Sequence, residues 1–342
     1  MQFRTEYVPV KADFTLTPRR PVVMLGSCFS DNIASKMRDA IWDAVNPLGT
    51  LYNPVSIASS LENFLFSTDF EKHFGESLFQ DPQGKWRSFF GDFRFAGNTR
   101  EESFEKALDA REELKSKLSK AEALFITFGT SICYALCPEC NEGIESKECY
   151  DRIEPNPTPT RSNLISATVA NCHKLPASRF EKYRLSIEDI AEIWIPICKR
   201  LKESFPQLRI VFTVSPVRHL KDGFVANNRS KAILLLAIED ICNRLNFCSY
   251  FPAYEILNDD LRDYRFYASD MAHPSEQAVE YIWEIFKKTY LDSEGLNLIK
   301  EGEKIMRMKN HRPLIATDRE REQYSANTML KYEDFIRLRD KE

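Results

Sequence analysis

The chain carries an apolar run that ends at a glycine and is followed by a serine, Val22-Val23-Met24-Leu25-Gly26-Ser27-Cys28-Phe29-Ser30. Four apolar residues between Pro21 and Gly26 predict a short buried strand, and residues 31–42 predict a helix. Ser27 therefore lies on a turn between a strand and a helix. In an open α/β sheet such turns lie at the carboxyl ends of the strands, where ligands bind near the positive end of the helix. Ser27 is thus a candidate nucleophile.

Length and composition describe an ordinary globular protein. The 342 residues can bury a large core, and 43% hydrophobic with 29% charged residues is typical of a folded domain. The formal net charge of −4, without a basic block, argues against nucleic acid and anionic membranes as partners. No apolar run reaches the length of a membrane span, and residues 1–14 lack the apolar core of a signal peptide. We therefore expect a cytoplasmic protein.

The nine cysteines are odd in number and scattered along the chain. This pattern is typical of reduced, mostly buried thiols rather than of a secreted disulfide framework. Four of them could be considered as zinc ligands, namely Cys133, Cys137, Cys140 and Cys149. They contain one C-x-x-C pair and otherwise irregular spacings, whereas a structural zinc site typically uses two such pairs. We expect no metal and no cofactor.

Buried strands alternate with helices along most of the chain. The predicted strands are 22–25, 43–45, 123–128, 209–214 and 247–251, and the predicted helices are 31–42, 54–66, 99–120, 186–203, 229–245 and 275–290. This alternation predicts a three-layer α/β/α fold with a parallel sheet covered on both faces. We expect one domain over residues 1–290 with an insertion at about 132–166. Residues 291–342 form a helical or partly disordered extension in this prediction.

A second informative motif, Asp270-x-x-His273, follows the last predicted strand. At this spacing the aspartate can accept a hydrogen bond from Nδ1–H of the imidazole and leave Nε2 free to take a proton. A serine nucleophile needs such a base. A doubly wound sheet can bring this motif and Ser27 together over its carboxyl end.

The motif around Ser27 closely resembles the G-S-C-F-A signature of the GSCFA family, a relative of the SGNH (GDSL-like) hydrolases. The G-x-S-x-G elbow of the α/β-hydrolases is absent there. Further blocks of the GSCFA family follow in order across about residues 20–290. They are Asn46-Pro-x-Gly49-x-x-Tyr52-Asn53-Pro54, Phe128-Gly129-Thr130-Ser131, Ala170-Asn171-Cys172-His173-Lys174, Val214-Ser215-Pro216-Val217-Arg218-His219 and Asp270-x-x-His273-Pro274.

The resemblance implies a flavodoxin-like fold with Ser27 as nucleophile, His273 as general base and Asp270 orienting the histidine. It also implies an oxyanion hole made by the backbone N–H groups of Ser27 and Gly49 and by an asparagine side chain of the third block. That block departs from the pattern, because it reads Gly129-Thr130-Ser131, so Thr130 or Asn46 would have to substitute. Loss of one such donor typically costs about 10²–10³ in rate.

Several polar residues near other strand ends are candidates for substrate binding. Arg218 and His219 follow the strand 209–214 and could contact a carboxylate or phosphate, and Asn171 and His173 are candidates for lining the same site.

Together these features predict a serine esterase that acts on a small-molecule or saccharide ester, with an O-acetylated saccharide suggested by analogy with the SGNH relatives. An O-acyltransferase on the same triad and a non-catalytic module that binds an anionic ligand remain as alternatives.

Overall fold

The computed structural model of the chain describes residues 4–136, 168–311 and 317–340. Nine strands occur in these ranges. In chain order they are β1 (Val22–Gly26), β2 (Ala44–Val45), β3 (Leu78–Gln80), β4 (Trp86–Ser88), β5 (Ala123–Phe128), β6 (Ile132–Leu136), β7 (Phe180–Arg184), β8 (Arg209–Val214) and β9 (Cys248–Tyr250).

Five of these strands form a parallel sheet in the order β2-β1-β5-β8-β9. The chain leaves β1 toward β2 on one side and later returns to pair β5 on the other side. The direction of winding therefore reverses between β1 and β5, and the carboxyl ends of strands at such a reversal frame a crevice that binds ligands. Ser27 follows β1 and Gly129 follows β5, so both lie at this crevice.

Ten α-helical elements and four 3₁₀ turns of three residues each accompany the strands in the described ranges. Their α-helical segments are α1 (Cys28–Asp39), α2 (Pro54–Leu61), α3 (Phe70–Glu76), α4 (Arg100–Leu118), α5 (Ile187–Ser204), α6 (Gly223–Arg244), α7 (Ala253–Glu255), α8 (Glu276–Tyr290), α9 (Ser293–Asn310) and α10 (Asp318–Arg339). Two of them continue as π-helical turns, α2 over Glu62–Phe66 and α7 over Ile256–Leu261.

The central strands are buried on both faces. On β1, Val23 and Leu25 belong to an apolar cluster with α2, α4, α5 and α6, whereas Val22 and Met24 belong to a second cluster with α1, α8 and α9. Side chains alternate between the two faces of a strand, so a continuous apolar run supplies both layers of the core. The predicted three-layer α/β/α architecture is confirmed.

Two predicted helix starts are wrong. Helix α1 begins at Cys28 rather than at residue 31, because Ser27 acts as its N-cap and accepts a hydrogen bond from the Phe29 N–H. Helix α6 begins at Gly223 rather than at residue 229. The glycine and asparagines of its first turns have low helix propensity, but the tertiary contacts of Asn227, which is 4% exposed, override it.

Two antiparallel ribbons lie outside the central sheet. Strand β3 pairs with β4, and β6 pairs with β7. Three residues separate the end of β5 from the start of the second ribbon, so this ribbon extends from the crevice edge of the sheet. Helices α9 and α10 pack on each other, and Ile305 and Phe335 bury one side of Ile41. Among the described residues, no helix has the length and apolar character required to cross a membrane.

Gly26 permits a close backbone approach between β1 and β5. Its φ is +120°, and a Cβ atom added there would lie 2.1 Å from the Thr127 carbonyl oxygen. We predict that Gly26→Ala lowers the free energy of unfolding by about 3 kcal/mol or more, because backbone strain and overpacking add. Urea unfolding measures the change.

Gly84→Ala is the matched control for Gly26→Ala. Gly84 also has a positive φ of +79°, but its added Cβ would lie 3.8 Å from the nearest atom, Gln80 Nε2. We expect a loss of only about 1 kcal/mol there, from strain alone. Equal losses in the two variants would contradict the role of the β1–β5 contact.

Candidate active site

A cavity of about 520 Å³ lies at the carboxyl ends of β1, β5 and β8. Six of the residues predicted for the site line it, namely Ser27, Thr130, Asn171, Arg218, His219 and His273. Asp270 lies behind His273. The other predicted residues, Gly49, Asn46 and His173, are absent from its lining.

Ser27 lies at the floor of this cavity and is 1% exposed. Its backbone N–H donates to the Thr127 carbonyl (3.2 Å), and its Oγ accepts a long hydrogen bond from the Phe29 N–H (3.4 Å). The side chain is thus an N-cap of α1, at the positive end of the helix dipole. A dipole of this sign favours an alkoxide at Ser27.

Asp270 and His273 form a compact pair in the loop before α8. The Asp270 carboxylate accepts hydrogen bonds from the backbone N–H groups of His273 and Ala272 (2.9 Å each) and lies 2.5 Å from His273 Nδ1. The backbone N–H of His273, followed by that of Ala272 and by the imidazole, lowers the pKa of Asp270 to about 2. An ionised carboxylate at Nδ1 favours the tautomer that presents Nε2 as the proton acceptor.

Ser27 and His273 line the same cavity from opposite sheet-edge loops. Within the described part of the chain, Ser27 Oγ and His273 Nε2 are not hydrogen-bonded. Catalytic hydrogen bonds are often long without substrate and shorten in the reactive complex.

A second histidine, His219, also lies beside the serine. A Cβ atom added to Gly129 would lie 2.9 Å from the Tyr52 carbonyl oxygen, 3.2 Å from His219 Nε2 and 3.5 Å from Ser27 Cβ, so Gly129 lies between the two side chains and packs closely against Tyr52. His219 Nε2 is buried and has no hydrogen-bond partner among the described residues. Burial, with the charges of Lys231 and His273, lowers the pKa of His219 to about 4. His219 is therefore neutral at pH 7.

Lys231 on α6 is a site residue that the sequence analysis missed. Its side chain is buried, and Nζ donates to the carbonyl oxygens of Gly129 (2.7 Å) and Ser215 (2.6 Å). These carbonyls follow β5 and β8, so the ammonium group ties two strand ends together below the cavity. In the sequence, Lys231 resembles any solvated lysine on a helix, and only the packing of α6 on the sheet distinguishes it.

The predicted oxyanion donors already hold other partners. The Ser27 N–H bonds to Thr127, and the Gly49 N–H donates to the Asn46 carbonyl (3.4 Å). The Thr130 N–H donates to the Tyr52 carbonyl (3.0 Å), and the hydroxyl groups of Thr130 and Ser230 are hydrogen-bonded to each other, with 3.1 Å between Oγ1 and Oγ. Asn46 Nδ2 donates to Asp31 Oδ1 (3.1 Å) and to the Gly49 carbonyl (3.0 Å), away from the cavity.

Asn53 is a second missed residue of the cavity. Its Oδ1 accepts a hydrogen bond from the Ser56 N–H (2.8 Å) as the N-cap of α2, a role that an asparagine directly before Pro54 predicts from the sequence. Asn53 also lines the cavity with Ser27, and its Nδ2 forms no hydrogen bond within the described ranges. The cap therefore fixes a side-chain amide whose donor end is unused. The sequence indicates the capping role of Asn53 but not that its amide lies at the cavity.

His173 lies outside the cavity lining and has a structural contact instead. Its Nε2 lies 2.7 Å from the Ser88 carbonyl oxygen, and its ring packs against Phe79 and Phe89. Asn171 lines the cavity, and its Oδ1 accepts a hydrogen bond from the His173 N–H (2.8 Å).

Arg218 lines the cavity and contacts the loop that carries Asp270 and His273. Its N–H donates to the Ala272 carbonyl (3.1 Å), and its guanidinium lies 5.4 Å from the ring centre of Tyr267.

The cysteines considered for zinc do not form a described metal site. Cys133 is buried on β6, where burial raises the pKa of its thiol. Cys137, Cys140 and Cys149 lie outside the described residues. Within those residues, no group of three histidine, cysteine or acidic side chains is placed to hold a metal ion.

Burial lowers the pKa of Lys231 from its ordinary value of 10.5 to about 7. Between these two values the unfolded chain binds the proton more tightly, so the free energy of unfolding rises with pH through this window. We predict that the rise from pH 7 to 10 is smaller in Lys231→Met than in the wild type. The variant is also less stable at pH 7, because two buried carbonyls lose their donor. Urea unfolding across this pH range tests both predictions. If the free energies of unfolding of the variant and the wild type change in parallel with pH, the lowered pKa of Lys231 is contradicted.

Comparison with known proteins identifies a family and finds distant structural likeness to solved proteins. The model of the GSCFA family matches residues 21–143 and 161–286. No curated protein matches the chain. A solved acetyl xylan esterase from the rumen bacterium Butyrivibrio proteoclasticus aligns with a TM-score of 0.35 and 10% identity over 83% of this chain. The aligned part is 66% of the esterase, so the chain spans slightly less than two-thirds of that protein's length.

Proposed function

We propose that this chain, which belongs to the GSCFA family, is an ester hydrolase with Ser27 as nucleophile and the pair Asp270–His273 as its base. The family predicted from the sequence motifs is confirmed by the match over 21–143 and 161–286. The observation that carries the proposal is that Ser27, at a helix N-terminus, and His273, bonded to an ionised carboxylate, line one cavity. A site is recognised by such roles acting together.

In the proposed reaction, His273 Nε2 takes the hydroxyl proton as Ser27 Oγ forms a bond to the ester carbonyl carbon. Asp270 holds the imidazole and stabilises the imidazolium that forms. The tetrahedral intermediate collapses, the carbon–oxygen bond to the alcohol breaks, and His273 returns the proton to the leaving oxygen. Water then attacks the acyl-enzyme by the same route, and the carboxylic acid leaves with Ser27 restored.

His273 is a better general base than His219. A base works best when its pKa lies near the working pH, and the pKa of His219 is about 4. His219 also has no carboxylate hydrogen bond among the described residues to stabilise its protonated form. The neighbouring Cys28 is a poor nucleophile, because burial and then the charge of Asp31 raise the pKa of its thiol.

The amide of Asn53 is the donor that we assign to the oxyanion. It lines the cavity with Ser27, its Oδ1 is fixed by the Ser56 N–H, and its Nδ2 has no other partner within the described chain. In this proposal the Asn53 amide replaces the asparagine side chain that the GSCFA resemblance implies in the third block, where this chain has Ser131 instead. The N-terminus of α1 adds a favourable field at the same place.

Hydrolysis of 4-nitrophenyl acetate tests the assignment of the triad. We predict that Ser27→Ala and His273→Ala each lower kcat by about 10⁴-fold or more, and Asp270→Asn by about 10³–10⁴-fold, because the three side chains act as a unit. His219→Gln retains activity within about tenfold, since this histidine does not move the proton.

Cys28→Ala is the control for the adjacent thiol. It lacks the only other nucleophilic side chain next to Ser27 in the sequence and should hydrolyse the ester at close to the wild-type rate. The proposal fails if His219→Gln is inactive while His273→Ala is active, or if Cys28→Ala has the phenotype expected of Ser27→Ala.

Asn53→Asp separates the two roles of this asparagine. Aspartate keeps the cap on Ser56, so we expect the free energy of unfolding to change by less than about 0.5 kcal/mol. It lacks the amide donor, so kcat should fall by about 10²–10³-fold with a smaller change in KM.

Asn53→Ser supplies the neutral comparison for Asn53→Asp. Serine also caps helices, but its shorter side chain does not place an amide donor at this position. We expect a comparable loss of kcat. Full activity in Asn53→Ser would attribute the effect of Asn53→Asp to its negative charge and would contradict the oxyanion assignment.

A further inference from the structure

The cavity beside Ser27 has an apolar wall built from the ribbon of β6 and β7. Side chains alternate along β6, so Cys133 and Ala135 are buried in the core whereas Ile132 and Tyr134 line the cavity. Phe180 of β7 completes this wall. Such a surface suits the hydrocarbon part of a ligand rather than a fully hydroxylated one.

Three cationic side chains line the same cavity, namely Lys174, Arg218 and Lys221. Lys221 lies with its Nζ 6.0 Å from the ring centre of Tyr134, at the edge of the apolar wall. Within the described part of the chain, none of the three forms an ion pair. Asp222, the one acidic residue of the described lining, is paired with Lys182. The cavity therefore has unbalanced positive charge.

A strained turn places one of these cations. His173 and Lys174 have φ values of +48° and +59°, and the Leu175 N–H donates to the Cys172 carbonyl (2.9 Å) across them. Two consecutive left-handed residues form the turn that asparagine and glycine favour, and larger side chains destabilise it. His173 is held by the Ser88 carbonyl, and Lys174 lines the cavity. Strain that persists in this way is typical of functional positions.

We propose that the cavity selects anionic esters, in which a carboxylate is separated from the scissile carbonyl by a short hydrocarbon segment. The apolar wall of Ile132, Tyr134 and Phe180 takes the hydrocarbon segment, and Lys174, Lys221 and Arg218 take the carboxylate. This inference rests on the proposed hydrolase activity for its catalytic readout, but binding of the anion does not depend on that activity.

Matched pairs of esters test this selection. In the first pair, the 4-nitrophenyl hemiester of glutaric acid is compared with 4-nitrophenyl valerate, so that the carboxylate lies on the acyl side. In the second pair, 4-acetoxybenzoate is compared with phenyl acetate, so that the carboxylate lies on the leaving-group side. We expect kcat/KM to favour the anionic member of at least one pair by about tenfold, as a charge-assisted contact allows. High salt should reduce the preference, because the lysines are exposed.

Lys174→Gly distinguishes binding from structural support. Glycine relieves the positive φ, so the variant should unfold at a temperature no lower than that of the wild type. It should nevertheless lose most of the preference, measured as the ratio of kcat/KM for the anionic ester to kcat/KM for the neutral one. Lys221→Gln should lower the preference in the same direction. Lys199→Gln, at an exposed position on α5, is the control for removal of a lysine charge and should keep the preference.

The outcomes separate this inference from the proposed activity. The anionic selection is overturned, and the hydrolase left intact, if Ser27 hydrolyses neutral esters and the protein prefers neither anionic ester. The same conclusion holds if a preference exists but is unchanged in Lys174→Gly and Lys221→Gln. Titration of Ser27→Ala with glutarate and with benzoate by calorimetry gives the independent readout. One outcome is that the wild type hydrolyses no ester, while glutarate or benzoate binds Ser27→Ala and binds Ser27→Ala/Lys174→Gly more weakly. That outcome supports the anion site and overturns the hydrolase.

Discussion

A buried ammonium group holds together the part of the structure on which the site depends. Lys231 reaches from α6 to the carbonyl oxygens of Gly129 and Ser215, the residues at which the chain leaves two adjacent strands. Those carbonyls could find no water in the core, and an unpaired buried carbonyl is costly. The lysine therefore fixes the two loops that carry Thr130 on one side and Arg218 and His219 on the other. Its own desolvation is the cost of this arrangement.

The same group influences the chemistry above it. Its charge contributes to the low pKa of His219, after the larger effect of burial. Two histidines thus lie near one serine with different properties. His219 is buried and neutral, whereas His273 is half-exposed and hydrogen-bonded to an ionised aspartate. Of the two, only His273 has a carboxylate in place to stabilise an imidazolium.

The sequence was informative wherever local chemistry decides the structure. The apolar run before Gly26 identified β1, and the spacing of Asp270 and His273 predicted their hydrogen bond. Residues whose role arises only through packing were missed. Lys231 resembles a surface lysine until α6 is placed on the sheet, and the second possible role of Asn53 is hidden by its N-cap. Gly49 and Asn46 match the motif in sequence, but their polar groups bond to one another.

The central claim is that Ser27 is an activated nucleophile, and covalent labelling with a fluorophosphonate followed by intact-mass spectrometry tests it most directly. The structure places Ser27 at the N-terminus of α1 beside two histidines, and we predict one adduct, on Ser27. The adduct should be absent in Ser27→Ala, strongly reduced in His273→Ala and retained in Cys28→Ala. A folded wild-type protein that acquires no adduct, or a Ser27→Ala variant that still acquires one, would contradict the claim.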